Sequence, residues 1–517
     1  MTSGRIPHGA APEDYDGPKR SLVLSGGGMR LSYQAGVVKA LLDDGLVFNH
    51  IDGTSGGSLN LSMILAGLSP RDMCDRWRTQ NPRHFAGLSS IGEYLNPANL
   101  TAMGSADGLA DKVFPHLGID IGMIRQATGV VGTYNILNYN DKLAEVVEHT
   151  EIDMDMILAG MSLPGLMPPV IKDGVAYLDT GFMQDANPLE AIRRGAEEVW
   201  LVWAMGNTAT YRGGALRLYV QMLEMSANGA LNIQMERIAE LNERIAAGDS
   251  PYGQTRPVVL HVVRPDHPLP LDPDLFLDRI DHATLIDMGY ADARRYLARM
   301  TAQGEEPSHR VTQMTEPRLG LRFRETMSGG FGVGATDPIE GSAKGKRDNT
   351  EFAIHATIDI RDIVRFTEDP EHAEALTGRI DFTPFGTDII GFDGTFNVFS
   401  PGDDPATTLI VYELAFDHDG RSYCFSGRKE VKDHPGFDLL ADTTTLYSTL
   451  HEGPTKSGPI IGAGVLKLSF GQLADMVKTF TVTHASCAKD KTVALGLFGR
   501  FFLGELWDQY ARLVDGG

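Results

Sequence analysis

Between residues 18 and 303 the apolar positions fall into two alternating spacings. Ser21 to Ser25 is a short apolar run bounded by glycines, which suits a buried strand. The segment SYQAGVVKALLDDG after it carries Ala35, Val38 and Leu42 on one side of a helix, with Gly45 as its stop. LVFNHIDGTS then reads as a second strand and GSLNLSMILAG as a second helix. Strand, helix, strand, helix predicts a parallel sheet with helices on its faces. EEVWLVWA (197–204) and RPVVLHVVRP (256–265) add two more buried strands. Between them Leu231, Met235, Ile238, Leu241 and Ile245 recur every three or four residues. That stripe marks an amphipathic helix, whose apolar side is either core or a mobile cap over a site.

After about residue 318 the period changes to two. Phe352, Ile354, Ala356, Ile358 and Ile360 alternate with polar neighbours, as do Ile410, Tyr412, Leu414 and Phe416, and then Leu466, Leu468 and Phe470. Asp393-Gly394 and Asp419-Gly420 are expected to make hairpin turns. This half predicts an antiparallel sandwich or barrel, with the charged stretch DPIEGSAKGKRDN (337–349) as an exposed loop. Residues 1–18, rich in Gly, Pro and Asp, read as a disordered arm. The expected organisation is therefore the arm, an α/β domain over 19–304 and a β-rich accessory domain over 318–517.

Composition narrows the function classes. The chain has 517 residues, 42% hydrophobic and 22% charged, which is ordinary for folded domains. Its formal charge of −22 argues against a nucleic-acid surface, which relies on clustered Lys and Arg. Cys74, Cys424 and Cys487 are odd in number and far apart, so neither a disulfide framework nor a zinc pattern is present, and no metal or cofactor is expected. The N-terminal stretch lacks the apolar core of a leader, and no segment approaches the roughly 18 apolar residues of a membrane span. A cytoplasmic protein that meets membranes only at their periphery is the expectation. The oligomeric state is not legible.

The chemistry concentrates at HIDGTSGGSLN (50–60). Gly53-Thr54-Ser55-Gly56-Gly57 matches G-x-S-x-G between an expected strand and helix, the setting of a nucleophile elbow. Gly53 and Gly57 permit the tight turn. Gly26-Gly27-Gly28 stands at the tip of the first strand, where unhindered N–H groups can face an oxyanion, although a tight structural turn or a phosphate cradle would also use such glycines. Arg30 either steadies that loop or orients an anionic head group. A serine needs a base. No histidine has a motif around it, and His50, His261 and His282 read as structural; Asp179 in YLDTGFMQDANP ends a short expected strand before a glycine turn, as a base or as a turn-forming residue.

GGGMR, GTSGG and DTG followed by ANP, in that order, together resemble the patatin-like phospholipases, whose patterns are G-G-G-x-R, G-x-S-x-G and D-G-[GA]. SLPGLMPPV (162–170) is similar to that family's Pro-Pro segment, and LIDMGYADARRYL (285–297) looks like its closing helix. The resemblance implies a three-layer α/β/α sheet and a lipid acyl hydrolase of the phospholipase A or lysophospholipase type. It makes Ser55 the nucleophile, Asp179 its base and the N–H groups at Gly26, Gly27 and Gly28 the oxyanion hole. Two residues depart from the family's patterns: Thr180 stands where glycine is usual, and Leu31 follows the arginine where glycine is common. A side chain at 180 threatens to crowd the cleft or tilt Asp179, which leaves a non-catalytic lipid-binding or scaffolding protein as the alternative. FRETMSGGFG (323–332) faintly resembles a segment appended to cholesterol-oxidase-like proteins, so the β-rich half is either a packing module or a lipid-docking one.

Overall fold

The computed structural model describes residues 5–85, 87–88, 102, 104–211, 213–270, 272–401, 407–432, 444–485 and 487–502. The chain divides into two compact units, Met1–Glu316 and Pro317–Gly517.

The first unit is built on an eight-stranded sheet. Its strands are β1 (Arg20–Leu24), β2 (His50–Thr54), β3 (Val131–Asn138), β4 (Leu143–Glu148), β5 (Val170–Lys172), β6 (Val175–Leu178), β7 (Glu198–Val202) and β8 (Val259–Val263). They run in the order β8-β7-β1-β2-β3-β6-β5, with β4 also paired to β3. The five strands from β8 to β3 are parallel; β4, β5 and β6 join antiparallel. Chain direction across the sheet reverses between β1 and β7, and a crevice opens beyond the carboxyl ends of strands at such a switch.

Helices cover both faces. The principal ones are α1 (Leu31–Asp43), α2 (Gly57–Leu65), α3 (Pro70–Thr79), α4 (Pro188–Arg193), α5 (Ala215–Ala246) and α6 (His282–Arg299). Val23, Val199 and Leu201 of the sheet pack with Ile192 of α4 and with Leu231, Met235, Ile238, Leu241 and Ile245 of α5. The apolar stripe expected of that helix is thus core along its second half. On the opposite side α1 and α6 cross at backbone contact: a Cβ on Gly36 would lie 2.1 Å from the Ile286 carbonyl oxygen, and one on Gly289 2.0 Å from that of Tyr33. Only glycine fits at either place.

The second unit is a closed antiparallel barrel. Strands β9 (Gly320–Val333), β10 (Glu351–Ile360), β11 (Ala373–Phe382), β12 (Gly386–Pro401), β13 (Thr407–His418), β14 (Arg421–Lys432), β15 (Thr445–Glu452) and β16 (Ile460–Lys467) pair in sequence order. β9 closes the ring by pairing with both β10 and β16, and β17 (Thr481–Thr483) extends it beside β9. The period-two positions point inward: Phe331, Phe352, Phe382 and Phe425 meet ring to ring at 4.8–5.5 Å. One ion pair lies among them, Lys429 to Glu325 at 3.4 Å, with Lys429 also donating to the Tyr412 hydroxyl at 2.9 Å.

Four expectations need correction. Residues 5–18 are not a disordered arm: Phe48 N–H donates to the Gly9 carbonyl at 2.7 Å, Ala11 N–H to that of Phe48 at 3.0 Å, and the Arg5 guanidinium to that of Gly67 at 2.8 Å. The segment expected as an exposed loop forms α7 (Pro338–Asp348), capped by the Asp337 carboxylate and ended by Asn349 at φ +54°. Asp-Pro at its start and a left-handed Asn at its end are helix boundary signals. Asp393-Gly394 lies inside β12, where the register with β13 slips between Phe392 and Thr395; it makes a bulge that bends the strand. Asp419-Gly420 does turn the β13–β14 hairpin, both residues at positive φ. Finally, Phe470 opens α8 (Phe470–Thr479) instead of continuing a strand.

Helix α7 packs on the barrel wall so closely that a Cβ on Gly345 would sit 2.0 Å from the Phe331 amide nitrogen. Gly345→Ala gains up to about 1 kcal/mol of helix propensity but forces backbone apart. The clash wins: chemical denaturation is expected to show the barrel destabilised by about 1–3 kcal/mol.

Candidate active site

The site stands at the carboxyl ends of β1, β2 and β6. Ser55 follows β2 at φ +50°, a left-handed conformation that non-glycine residues adopt at a cost. The turn swings the chain across the end of β1, where a Cβ on Gly57 would lie 2.3 Å from the Leu24 carbonyl oxygen and 2.7 Å from that of Ser25. Glycine at 57 is therefore a steric necessity. Gly53 faces the same crossing, 3.0 Å from the Ser58 Cα. Beneath the elbow Leu31 fills the space left by Gly56, whose Cβ would sit 2.3 Å from the leucine methyl, so this departure from the family pattern supports the turn from below.

Ser55 Oγ donates a 2.5 Å hydrogen bond to Asp179 Oδ2. Gly181 N–H donates to the other carboxylate oxygen at 2.8 Å, and Asp179's own N–H is held by the Ser162 carbonyl at 3.0 Å. Burial pushes the Asp179 carboxyl up to about 7, against the pull of the hydrogen bonds from Ser55 and Gly181. Thr180 is buried and its hydroxyl has no hydrogen-bond partner among the described residues. Its side chain leaves the Ser55–Asp179 contact intact.

The triple glycine is tied down from behind. Gln34 Nε2 donates to the Ser25 carbonyl at 2.6 Å, Ser25 Oγ to that of Gly26 at 2.8 Å, and Arg30 Nε to that of Gly27 at 2.8 Å. In a trans peptide the N–H points opposite the C=O. The Gly27 and Gly28 amides consequently face away from these anchors, and neither has a hydrogen-bond partner among the described residues. Gly26 differs: its N–H donates to the Asp185 carbonyl at 2.9 Å and is taken. Arg30 is itself buried and steadies the loop.

Sequence reading passed over the scaffold behind these groups. Trp77 of α3 donates to Asn60 Oδ1 at 2.8 Å, and Asn60 donates to Gln34 at 3.1 Å, a relay that ends on Ser25. On the other side Asn187 caps α4 and donates to Asn135 at 2.8 Å, which donates to Asp52 at 2.7 Å under the elbow. Asn-Pro at 187–188 was the legible sign of that cap. The histidines stand elsewhere: His50 lies between Ser21 and Thr133, its imidazole pulled down to about 3 by burial, while His261 contacts Tyr296 and His282 contacts Ser32. Among the described residues no His, Cys, Asp and Glu cluster could hold a metal, and no helix is long and apolar enough to cross a membrane.

Residues 22–192 match a family model, and the span holds the glycine turn, the elbow and Asp179. This segment is a patatin-like phospholipase domain. An uncharacterized NTE family protein of Mycobacterium bovis is 25% identical over 181 residues, covering 34% of this chain and 29% of that one. The lysophospholipase nte1 of Aspergillus niger is 25% identical over 314 residues, 56% of this chain and 19% of its own. The chain thus spans less than a third of the length of these curated relatives. The crystal structure of VipD from Legionella pneumophila aligns at 13% identity and a TM-score of 0.29, covering 56% of this chain and 67% of that one.

Burial of Asp179 sets a cost on folding the patatin-like domain at neutral pH. A carboxyl near 7 when folded and near 4 when unfolded adds stability below pH 4 and loses it as pH rises through 7, by roughly 4 kcal/mol if nothing compensates. Asp179→Asn cannot ionise. Its thermal stability relative to wild type is expected to climb between pH 5 and pH 8, as scanning calorimetry at a series of pH values would read.

Proposed function

We propose that the patatin-like domain hydrolyses lipid esters, as a phospholipase A or lysophospholipase, through an acyl-Ser55 intermediate. The observation that carries this reading is the 2.5 Å bond from Ser55 Oγ to Asp179 beside two free amides. Asp179 takes the hydroxyl proton as Oγ adds to the ester carbonyl, and the carbonyl electron pair moves to oxygen. The oxyanion so formed faces the Gly27 and Gly28 N–H groups, which are in place before the reaction and need no reorganisation. Collapse breaks the ester C–O bond, and the proton passes from Asp179 to the leaving oxygen. Water then repeats the sequence on the acyl-serine and releases the fatty acid.

A base needs a proton affinity near the working pH, and the buried carboxyl at about 7 meets that need without a histidine. Support for an apolar substrate comes from the surroundings. Leu163, Leu166, Met167 and Phe182, in the stretches before β5 and after β6, are half-buried and Met183 is exposed; a Leu163 methyl lies 3.5 Å from where a Cβ on Gly181 would stand. Helix α5 braces this rim: Tyr219 donates to the Pro164 carbonyl at 2.6 Å and Ser226 to that of Phe182. A curated relative carries the name lysophospholipase. The same rim is the natural place for peripheral contact with a lipid surface.

Hydrolysis of p-nitrophenyl esters from acetate to palmitate tests the assignment. Ser55→Ala is expected to lose at least about a thousand-fold in kcat/KM while remaining folded; a loss of a few-fold rules the nucleophile out. In wild type kcat/KM should rise with pH through about 7, as Asp179 becomes the ionised base. A profile already flat from pH 5 upward would mean that another group takes the proton.

A further inference from the structure

Six residues beyond Asp179 the same segment places a second carboxylate at the site. Asp185 is 2% exposed, and its backbone carbonyl receives the Gly26 N–H. Its Oδ1 lies 2.1 Å from where a Cβ on Gly26 would stand, and Ser55 Cβ lies 3.0 Å from the same point. A Cβ on Gly181 would be 3.3 Å from Asp179 Oδ1 and 3.7 Å from Asp185 Oδ1. Both acids therefore lie close to the nucleophile. Asp185 Oδ2 is buried without a hydrogen-bond partner among the described residues.

The charged groups around it are few. Asp179 faces it from the end of β6, and Arg30, whose Nη1 is likewise buried without a hydrogen-bond partner, acts on it from the turn after β1; among the described residues no ion pair joins the two. Glu224 of α5 acts on the same arginine. An ionised carboxylate with an orphaned oxygen in such a place is costly, whereas a carboxylic acid there costs much less. Burial, and then the charge of Asp179, push the Asp185 carboxyl well above its ordinary range.

We propose that Asp185 is a positioning residue that stays a neutral carboxylic acid beside Ser55 throughout turnover, so that only one negative charge moves through the site. That charge starts on Asp179 and passes to the oxyanion as Asp179 accepts the serine proton. A second charge on Asp185 would oppose ionisation of the base and the growth of the oxyanion alike. Asp185 neither gives nor takes a proton in the cycle; it acts through Asp179 and the oxyanion. The role has a precedent in buried acids kept neutral at pH 7 by their surroundings.

The proposal rests on the hydrolase reading, so its first test needs no substrate. The infrared difference between wild type and Asp185→Asn at pH 8 is expected to contain the carbonyl stretch of a protonated carboxylic acid. A carboxylate stretch in its place overturns the proposal, whatever becomes of Ser55-dependent turnover. With p-nitrophenyl esters, Asp185→Asn is expected to keep at least about a third of wild-type kcat/KM near pH 7.5, since the amide is also neutral and of similar shape. Any alkaline fall in the wild-type profile should vanish in that variant. A hundred-fold loss in a folded Asp185→Asn, or an alkaline fall that persists in it, defeats the assignment; the infrared result decides if wild type unfolds before any fall appears.

Discussion

The first unit is organised around a hydrogen bond between groups 124 residues apart, both withdrawn from water. Such a contact survives only if each partner is delivered by an element that cannot move aside. Ser55 is delivered by a turn whose glycine crosses the end of β1 at backbone contact, Asp179 by a short strand held through the Ser162 carbonyl. Each anchor is itself anchored, by Gln34, Asn60 and Trp77 on one side and by Asn135 and Asn187 on the other. Buried polar networks stiffen a site when every member is satisfied. Among the polar groups left without a partner, three stand where chemistry is proposed: the amides of Gly27 and Gly28, and the Asp185 oxygen.

Much of this was legible in the chain. Alternation between helical and strand spacing located the parallel sheet, and the glycines around Ser55 and at 26–28 marked turns that only glycine can make. The period of two in the second half announced inward-facing rings. What escaped did so for physical reasons. Gln34, Asn60 and Asn135 are single polar residues on apolar elements, and nothing in spacing tells a buried relay from a solvated face. Asp185 looks like any turn-forming acid until Gly26 is seen against it. Residues 5–18 carry the composition of a free arm, yet the Phe48 and Gly67 carbonyls accept bonds from it and the Phe48 N–H donates one to it. Helix 338–348 had its cap written in Asp337-Pro338, but its glycines suggested a loop; they serve instead to bring its backbone onto the barrel wall.

The two units solve the problem of strand edges differently. The sheet of the first unit is covered on its faces by helices and tapers to short antiparallel strands at one end. The second closes upon itself, so every one of its eight strands is paired on both sides, and its centre is filled by stacked and tilted phenylalanines around the Lys429–Glu325 ion pair.

Closure also has a temporal side. The pairing of β9 with β16 joins residues near 330 to residues near 465, so during synthesis the first strand of the barrel waits for the last before either edge is satisfied. The last strand of the first unit's sheet ends at Val263 and the helix α6 that covers it at Arg299, so that sheet holds all its strands while the barrel is still being made. A chain built in this order can complete its acid-serine crevice first, while the later half, rich in long-range pairings that form slowly, is the part that depends on escaping intermolecular strand contacts on the way.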